Sequence, residues 1–179
     1  MKDISFRKLA GLMPEYLAFI PKGQRQFTAL DIFDFEGIPD EDKLFASIRA
    51  NLIGDDIFQE FACRCAEWAL GPLKHPDPRS AAAIAAKRAW VRGEISDAEL
   101  AAAREAAREA AIDTMASGMA TEAEKAAATA AEMAAAKEAL WAANSEEEWA
   151  WLVAQLKKLL KEAQGRRSSV RESKSNGGK

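Results

Sequence analysis

The sequence predicts an all-α fold: an Ala-rich bundle of about six to eight helices with a disordered C-terminal tail. Three observations point there. Alanine dominates residues 81–143, and it is the strongest helix former. Apolar residues recur at helical spacing, most clearly in Trp149, Leu152, Val153, Leu156, Leu159 and Leu160 near the C-terminus. Ser96 with Glu99 and Ser145 with Glu148 have the Ser-x-x-Glu spacing in which hydroxyl and carboxylate satisfy each other's backbone N–H at a helix start; Thr121 with Glu124 is a weaker version.

Taken in order, residues 3–13 read as a short helix carrying Ile4, Leu9, Leu12 and Met13, interrupted by Gly11 and Pro14. Residues 15–20 form another short apolar piece, closed by Pro21-Lys22-Gly23. Residues 27–35 alternate poorly and fit a strand, a short helix or a buried loop. Gly37-Ile38-Pro39-Asp40 marks a turn and a helix start, followed by Leu44, Phe45, Ile48, Leu52 and Ile53 at helical spacing up to Gly54. Asp55 suits the N-cap of the next helix, whose apolar stripe is Ile57, Phe58, Phe61, Ala62, Cys65, Trp68 and Ala69, ending at Gly71-Pro72.

Asp77 then caps a helix that begins with Pro78 and ends near Arg92, with Gly93 in the left-handed position past its end. The helix opened by Ser96 and Glu99 places Leu100, Ala103, Ala107, Ala110 and Thr114 on one side. Arg104, Glu105, Arg108, Glu109 and Asp113 lie on the other, with Glu105 and Arg108 able to pair at i, i+3. Another Ala-rich helix runs to about residue 143, with Met133, Leu140 and Trp141, and the last helix stops at Gly165. One domain is expected over residues 1–165: an irregular part (1–36), bulky apolar helices (37–93) and Ala-rich helices (94–165). Residues 166–179 are expected to be a disordered basic tail.

Composition narrows the function classes. A net charge of -3 argues against a protein that coats nucleic acid. The N-terminus has no secretory pattern, and no apolar run is long enough to span a membrane. Two cysteines, Cys63 and Cys65, diverge by roughly 160° on a helix, so no disulfide joins them and a reducing cytoplasm is the expected compartment. With His75 they are the grouped soft ligands, but a zinc site draws on about four; two small buried thiols and a loop histidine account for them. Ser80 near His75 could suggest a nucleophile and base, yet Ser is common in a first helical turn and nothing marks this one as activated. Arg79 is explained by pairing with Asp77 or a helix carboxylate such as Glu67. No Gly-rich phosphate loop is present. No catalytic residue, metal or cofactor is therefore expected.

The remaining candidates concern partners. Asp34, Glu36, Asp40, Glu41, Asp42, Asp55 and Asp56, with Asp31 and Glu60, form an acidic stretch countered by Lys43 and Arg49 alone, which would attract a basic protein. Ordinary capping and solvation of helix starts is the competing explanation. Trp68, Trp90 and Trp141 read as core, while Trp149 and Trp151 cannot share one helix face.

The pieces Phe61-Ala62-Cys63-Arg64-Cys65-Ala66-Glu67-Trp68-Ala69-Leu70, Asp77-Pro78-Arg79-Ser80 and Ala89-Trp90-Val91-Arg92-Gly93-Glu94, with the Ala-rich stretch from Leu100, resemble the immunity-protein family grouped through bacterial polymorphic-toxin loci. Similar Ala-rich versions are carried by phages. The resemblance covers residues 40–145. It implies an α-helical, non-enzymatic, cytoplasmic protein that neutralises a toxin or effector protein by binding it, and it carries over no set of contact residues. The expected partner is a protein, with no membrane or nucleic acid, and monomer and dimer are both open. The alternatives are a phage-borne antagonist of a host defence protein and a self-associating helical scaffold protein. A small-molecule-binding or enzymatic domain is a further class.

Overall fold

A computed structural model describes residues 2–71, 73, 75–116 and 145–176, with side chains to residue 166 in the last stretch. Among these residues the fold is all-α apart from one small sheet. The elements are β1 (Asp3–Ser5), α1 (Phe6–Leu12), a 3-10 turn (Pro14–Tyr16), β2 (Gln26–Thr28), α2 (Ala29–Phe33), α3 (Asp40–Arg49), α4 (Asp55–Leu70), α5 (Pro78–Val91), α6 (Asp97–Ala116) and α7 (Glu146–Asn176). The expected Thr121 and Glu124 cap, the Ala-rich helix to about 143 and Trp141 lie outside the described residues.

The chain divides into two compact units, one of Met1–Ile57 with Ser145–Lys179 and one of Phe58–Asn144. The linear partition expected from composition differs because the last helix belongs with the N-terminal residues. In the first unit β1 pairs antiparallel with β2 in the register Asp3↔Thr28, Ile4↔Phe27 and Ser5↔Gln26. The helix expected from residue 3 therefore starts at Phe6, because Ile4 is drawn into a ladder beside buried Phe27. Ser5 is its cap, accepting from the Lys8 amide.

The ambiguous stretch 27–35 is strand and then helix. Thr28 and Asp31 form a capping box that turns the chain from β2 into α2. Leu9, Ile20, Phe27, Ile32, Leu44 and Leu52 are fully buried, as are Leu156 and Leu160 of α7, which packs on α2 and α3. Phe27 sits edge-on to Phe35, with ring centroids 5.6 Å apart. Phe45 meets Trp149 at 5.8 Å.

Several boundaries move. α3 ends at Arg49, and Asn51 takes φ 53, so Leu52 and Ile53 are buried from a loop rather than from a helix. Asp55 is the first residue of α4, not the residue before it. The backbone of α7 runs on through Gly165 to Asn176, past the expected stop and into the stretch read as tail. A glycine costs a helix interior about 1 kcal/mol, which weakens a helix without ending it. No proline follows to terminate it.

In the second unit Cys63, Ala66 and Leu70 of α4 pack with Ile84 of α5. α5 and α6 form a hairpin with close, extensive contact. Its corner is built as the sequence predicts. Asp77 accepts from the Arg79 amide, and Gly93 takes φ 73. The Gly93 and Glu94 amides donate to the carbonyls of Trp90 and Ala89, both at 2.9 Å. Ser96 and Glu99 exchange both capping hydrogen bonds. Ala83, Ala107, Ala110 and Ala111 are buried, so the hairpin is closed by small side chains and near approach of backbones. Trp68, expected in the core, is 47% exposed. The buried side of α4 instead includes both cysteines and Ala66, because cover extends around more of the helix than one stripe.

Candidate protein-binding surface

In the first unit the chain between α1 and β2 is anchored at two points, Met13 and Ile20, each 2% exposed. Between them Pro14 starts the 3-10 turn, where its missing amide costs nothing. The Tyr16 and Phe19 amides donate back to the Met13 and Tyr16 carbonyls. A segment pinned at both ends and tightly turned in the middle presents its intervening side chains outward. Leu17 is 43% exposed and Phe19 50%. The Tyr16 and Phe19 rings lie 6.4 Å apart, tilted by 56°.

Phe19 rests on Gly37. Gly37 has φ 74, and a Cβ there would stand 2.5 Å from the Phe19 ring. Glycine at this turn serves both the left-handed backbone and the close seat of the aromatic ring.

Carboxylates surround this apolar platform. The Tyr16 hydroxyl donates to Asp42 Oδ2 at 2.6 Å. That bond, with desolvation and the negative charges of Asp42, Glu15 and Glu41, pushes the Tyr16 pKa up to about 12. The phenol therefore stays a neutral donor, and Glu15 and Glu41 lie within its electrostatic reach. Glu36 is exposed beside Gly37. Glu15, Glu36, Glu41 and Asp42 make no ion pair among the described residues.

The seven acidic candidates thus separate. Asp42 and Glu41 join Tyr16, and Glu36 flanks the seat of Phe19. Asp34 caps α2 and pairs with Lys157 of α7. Asp40 pairs with Lys43 at 3.0 Å. Asp55 and Asp56 are exposed in the first turn of α4, which follows the opposite end of α3 from Asp42, about 10 Å along its axis. Residue order alone missed Glu15, Tyr16, Leu17 and Phe19. The available signal was an aromatic and aliphatic run between Pro14 and Pro21, too long in apolar side chains for a simple connector.

The chemistry-bearing residues of the second unit do not converge. Cys63 and Cys65 are buried and free. Burial pushes their thiols up to about 11 and about 12, which suppresses the nucleophilic thiolate. His75 is exposed while Ser80 is 1% exposed, and no hydrogen bond joins them. Arg79 donates to Asp77 and to Asp113 at 2.8 Å, so Glu67 is not its partner. Glu67 and Glu60 instead both accept from Arg88. Among the described residues no three His, Cys, Asp or Glu side chains are placed to share a metal ion, and no helix is long and apolar enough to cross a membrane.

Comparison with family models, with curated proteins and with solved structures finds no match to this chain.

Proposed function

We propose that this chain is a non-enzymatic, protein-binding inhibitor that neutralises a toxin or effector by stoichiometric association, acting in the cytoplasm of a bacterial cell. The carrying observation is the exposed Leu17 and Phe19 platform beside unneutralised Glu15, Glu36, Glu41 and Asp42. Aromatic side chains at the centre of a patch are the usual energetic anchors of protein interfaces, and a charged rim accelerates encounter with an oppositely charged partner. The partner is accordingly a protein with a basic rim around an apolar recess. The resemblance of residues 40–145 to immunity proteins supports the same class of activity.

The test combines light scattering after size exclusion with affinity capture from the native host. A monomer that captures one protein in a 1:1 complex is expected. Phe19→Ala should weaken that complex at least tenfold, and Glu41→Lys should slow association and reduce its salt dependence. A concentration-dependent large oligomer, or a complex indifferent to Phe19→Ala in a folded variant, overturns the proposal.

A further inference from the structure

Carboxylates of the first unit are held in two ways. Asp40 pairs with Lys43 at 3.0 Å and Asp34 pairs with Lys157, so a cation offsets the charge of each. Asp42 is held by a neutral group instead: the Tyr16 hydroxyl donates to its Oδ2 at 2.6 Å. Asp42 makes no ion pair among the described residues, and no group there takes its Oδ1. A phenol fixes the direction of a carboxylate but leaves its negative charge in place.

The same bond fixes the ring. Tyr16 is tied to α3 through its hydroxyl and to the Met13 carbonyl through its backbone amide at 3.1 Å. Its ring lies 6.4 Å from that of Phe19, tilted by 56°. Phe19 in turn is seated on Gly37 and half exposed. An oriented anion therefore stands beside two aromatic rings. Each part of this network has a further carboxylate one residue away along the chain: Glu15 next to Tyr16, Glu41 next to Asp42, and Glu36 next to Gly37.

Aromatic faces with a fixed carboxylate suit a cation, and one cation in particular. An ammonium is compact and strongly hydrated, and it gains little from a ring at a wet surface. A guanidinium is planar and weakly hydrated. It stacks on aromatic faces and offers N–H donors in its own plane to a carboxylate. We propose that Tyr16, Phe19 and Asp42 receive an arginine side chain of the basic partner, its guanidinium against an aromatic ring and donating to Asp42 Oδ1. Arginine is enriched among the residues that dominate binding at protein interfaces, and the surrounding negative charge favours its approach. This inference rests on the reading of the surface as a protein-binding site. It makes arginine, and not basic charge in general, the feature that the partner must present.

Tyr16 is the only tyrosine in the chain, so ring-labelled tyrosine places one magnetic-resonance reporter inside the site. The full chain is titrated with a blocked Gly-Arg-Gly peptide and with its lysine counterpart at equal ionic strength. The arginine peptide should shift the tyrosine ring resonances saturably and bind about fivefold tighter than the lysine peptide. Asp42→Asn keeps an acceptor for the Tyr16 hydroxyl but removes the charge, and it should weaken arginine binding about tenfold. Phe19→Ala should reduce the preference for arginine over lysine. Asp55→Asn, beyond the opposite end of α3, should change neither. Absence of a saturable shift in the wild type, equal affinity for the two peptides, or undiminished binding in folded Asp42→Asn each overturns the proposal. A partner captured through Phe19 by a protein indifferent to arginine leaves the inhibitor reading standing and removes this one. Arginine binding with no partner captured counts against the inhibitor reading alone.

Discussion

The two units use different means to hold helices together. In the first, large side chains do most of the work: Phe27, Ile32, Leu44, Leu156 and Leu160 are buried, and aromatic rings meet across elements. In the second, half of the buried positions of α5 and α6 are alanine, Ala83, Ala107, Ala110 and Ala111, and a bidentate Arg88–Glu60 pair ties α5 to α4. The contrast shows that two helical cores can be built from burial of area or from close backbone approach with charge pairing. Area burial tolerates imprecise spacing poorly when atoms are removed. Close approach tolerates it poorly when atoms are added.

Substitutions can break this contrast in a graded way. The largest effect belongs to Phe27→Ala, which should cost about 3–5 kcal/mol, read by denaturant unfolding. A cost below about 1 kcal/mol would show that this core collapses around the gap. Ala107 is 0% exposed on α6. Ala107→Leu should cost about 1–3 kcal/mol through overpacking, with hydrogen exchange increasing in α5 and α6. A neutral or stabilising result would mean that the hairpin has unfilled space and is not held by close approach.

The third effect depends on pH. Burial acts to raise the Glu60 pKa, but the hydrogen bonds and charge of Arg88 and Arg64 outweigh it, and the carboxyl ends below its ordinary value of 4.5. A folded-state pKa below the unfolded value contributes stability that is full above about pH 4.5. That contribution is lost as pH falls through the lowered folded value. Glu60→Gln should therefore cost about 1–2 kcal/mol at neutral pH, allowing for solvent screening of a partly exposed group. The difference from wild type should shrink in acid, as measured by unfolding between pH 7 and pH 3. A pH-independent difference would assign the effect to packing. The smallest effect is Ser96→Ala, which should lower stability by about 1 kcal/mol or slightly less and leave partner affinity unchanged.

Local chemistry explains which features were legible without coordinates. The caps at Asp77, Ser96 and Ser145, and the left-handed Gly93, depend on residues within a few positions of one another. So does the Glu105 and Arg108 pair. The Thr28 and Asp31 cap has the same locality, but a strand precedes it, and the alternation around Phe27 obscured both. The candidate surface was half legible. Acidity around Glu36, Glu41 and Asp42 could be read directly, whereas the aromatic platform required Tyr16 to meet Asp42 and Phe19 to meet Gly37.

The sequence by itself determined the starts of α5, α6 and α7, the stops at Gly71 and Gly93 and the all-α class, because hydrogen bonding at helix ends and the apolar period of a helix are local properties. Tertiary structure decided the rest. It returned α7 to the N-terminal residues, exposed Trp68, and turned the Arg104 Nε inward. It also left Leu17 and Phe19 at the surface beside carboxylates. Periodicity identifies a face of a helix, but whether that face meets water depends on which other element lies over it, and that is a property of distant residues.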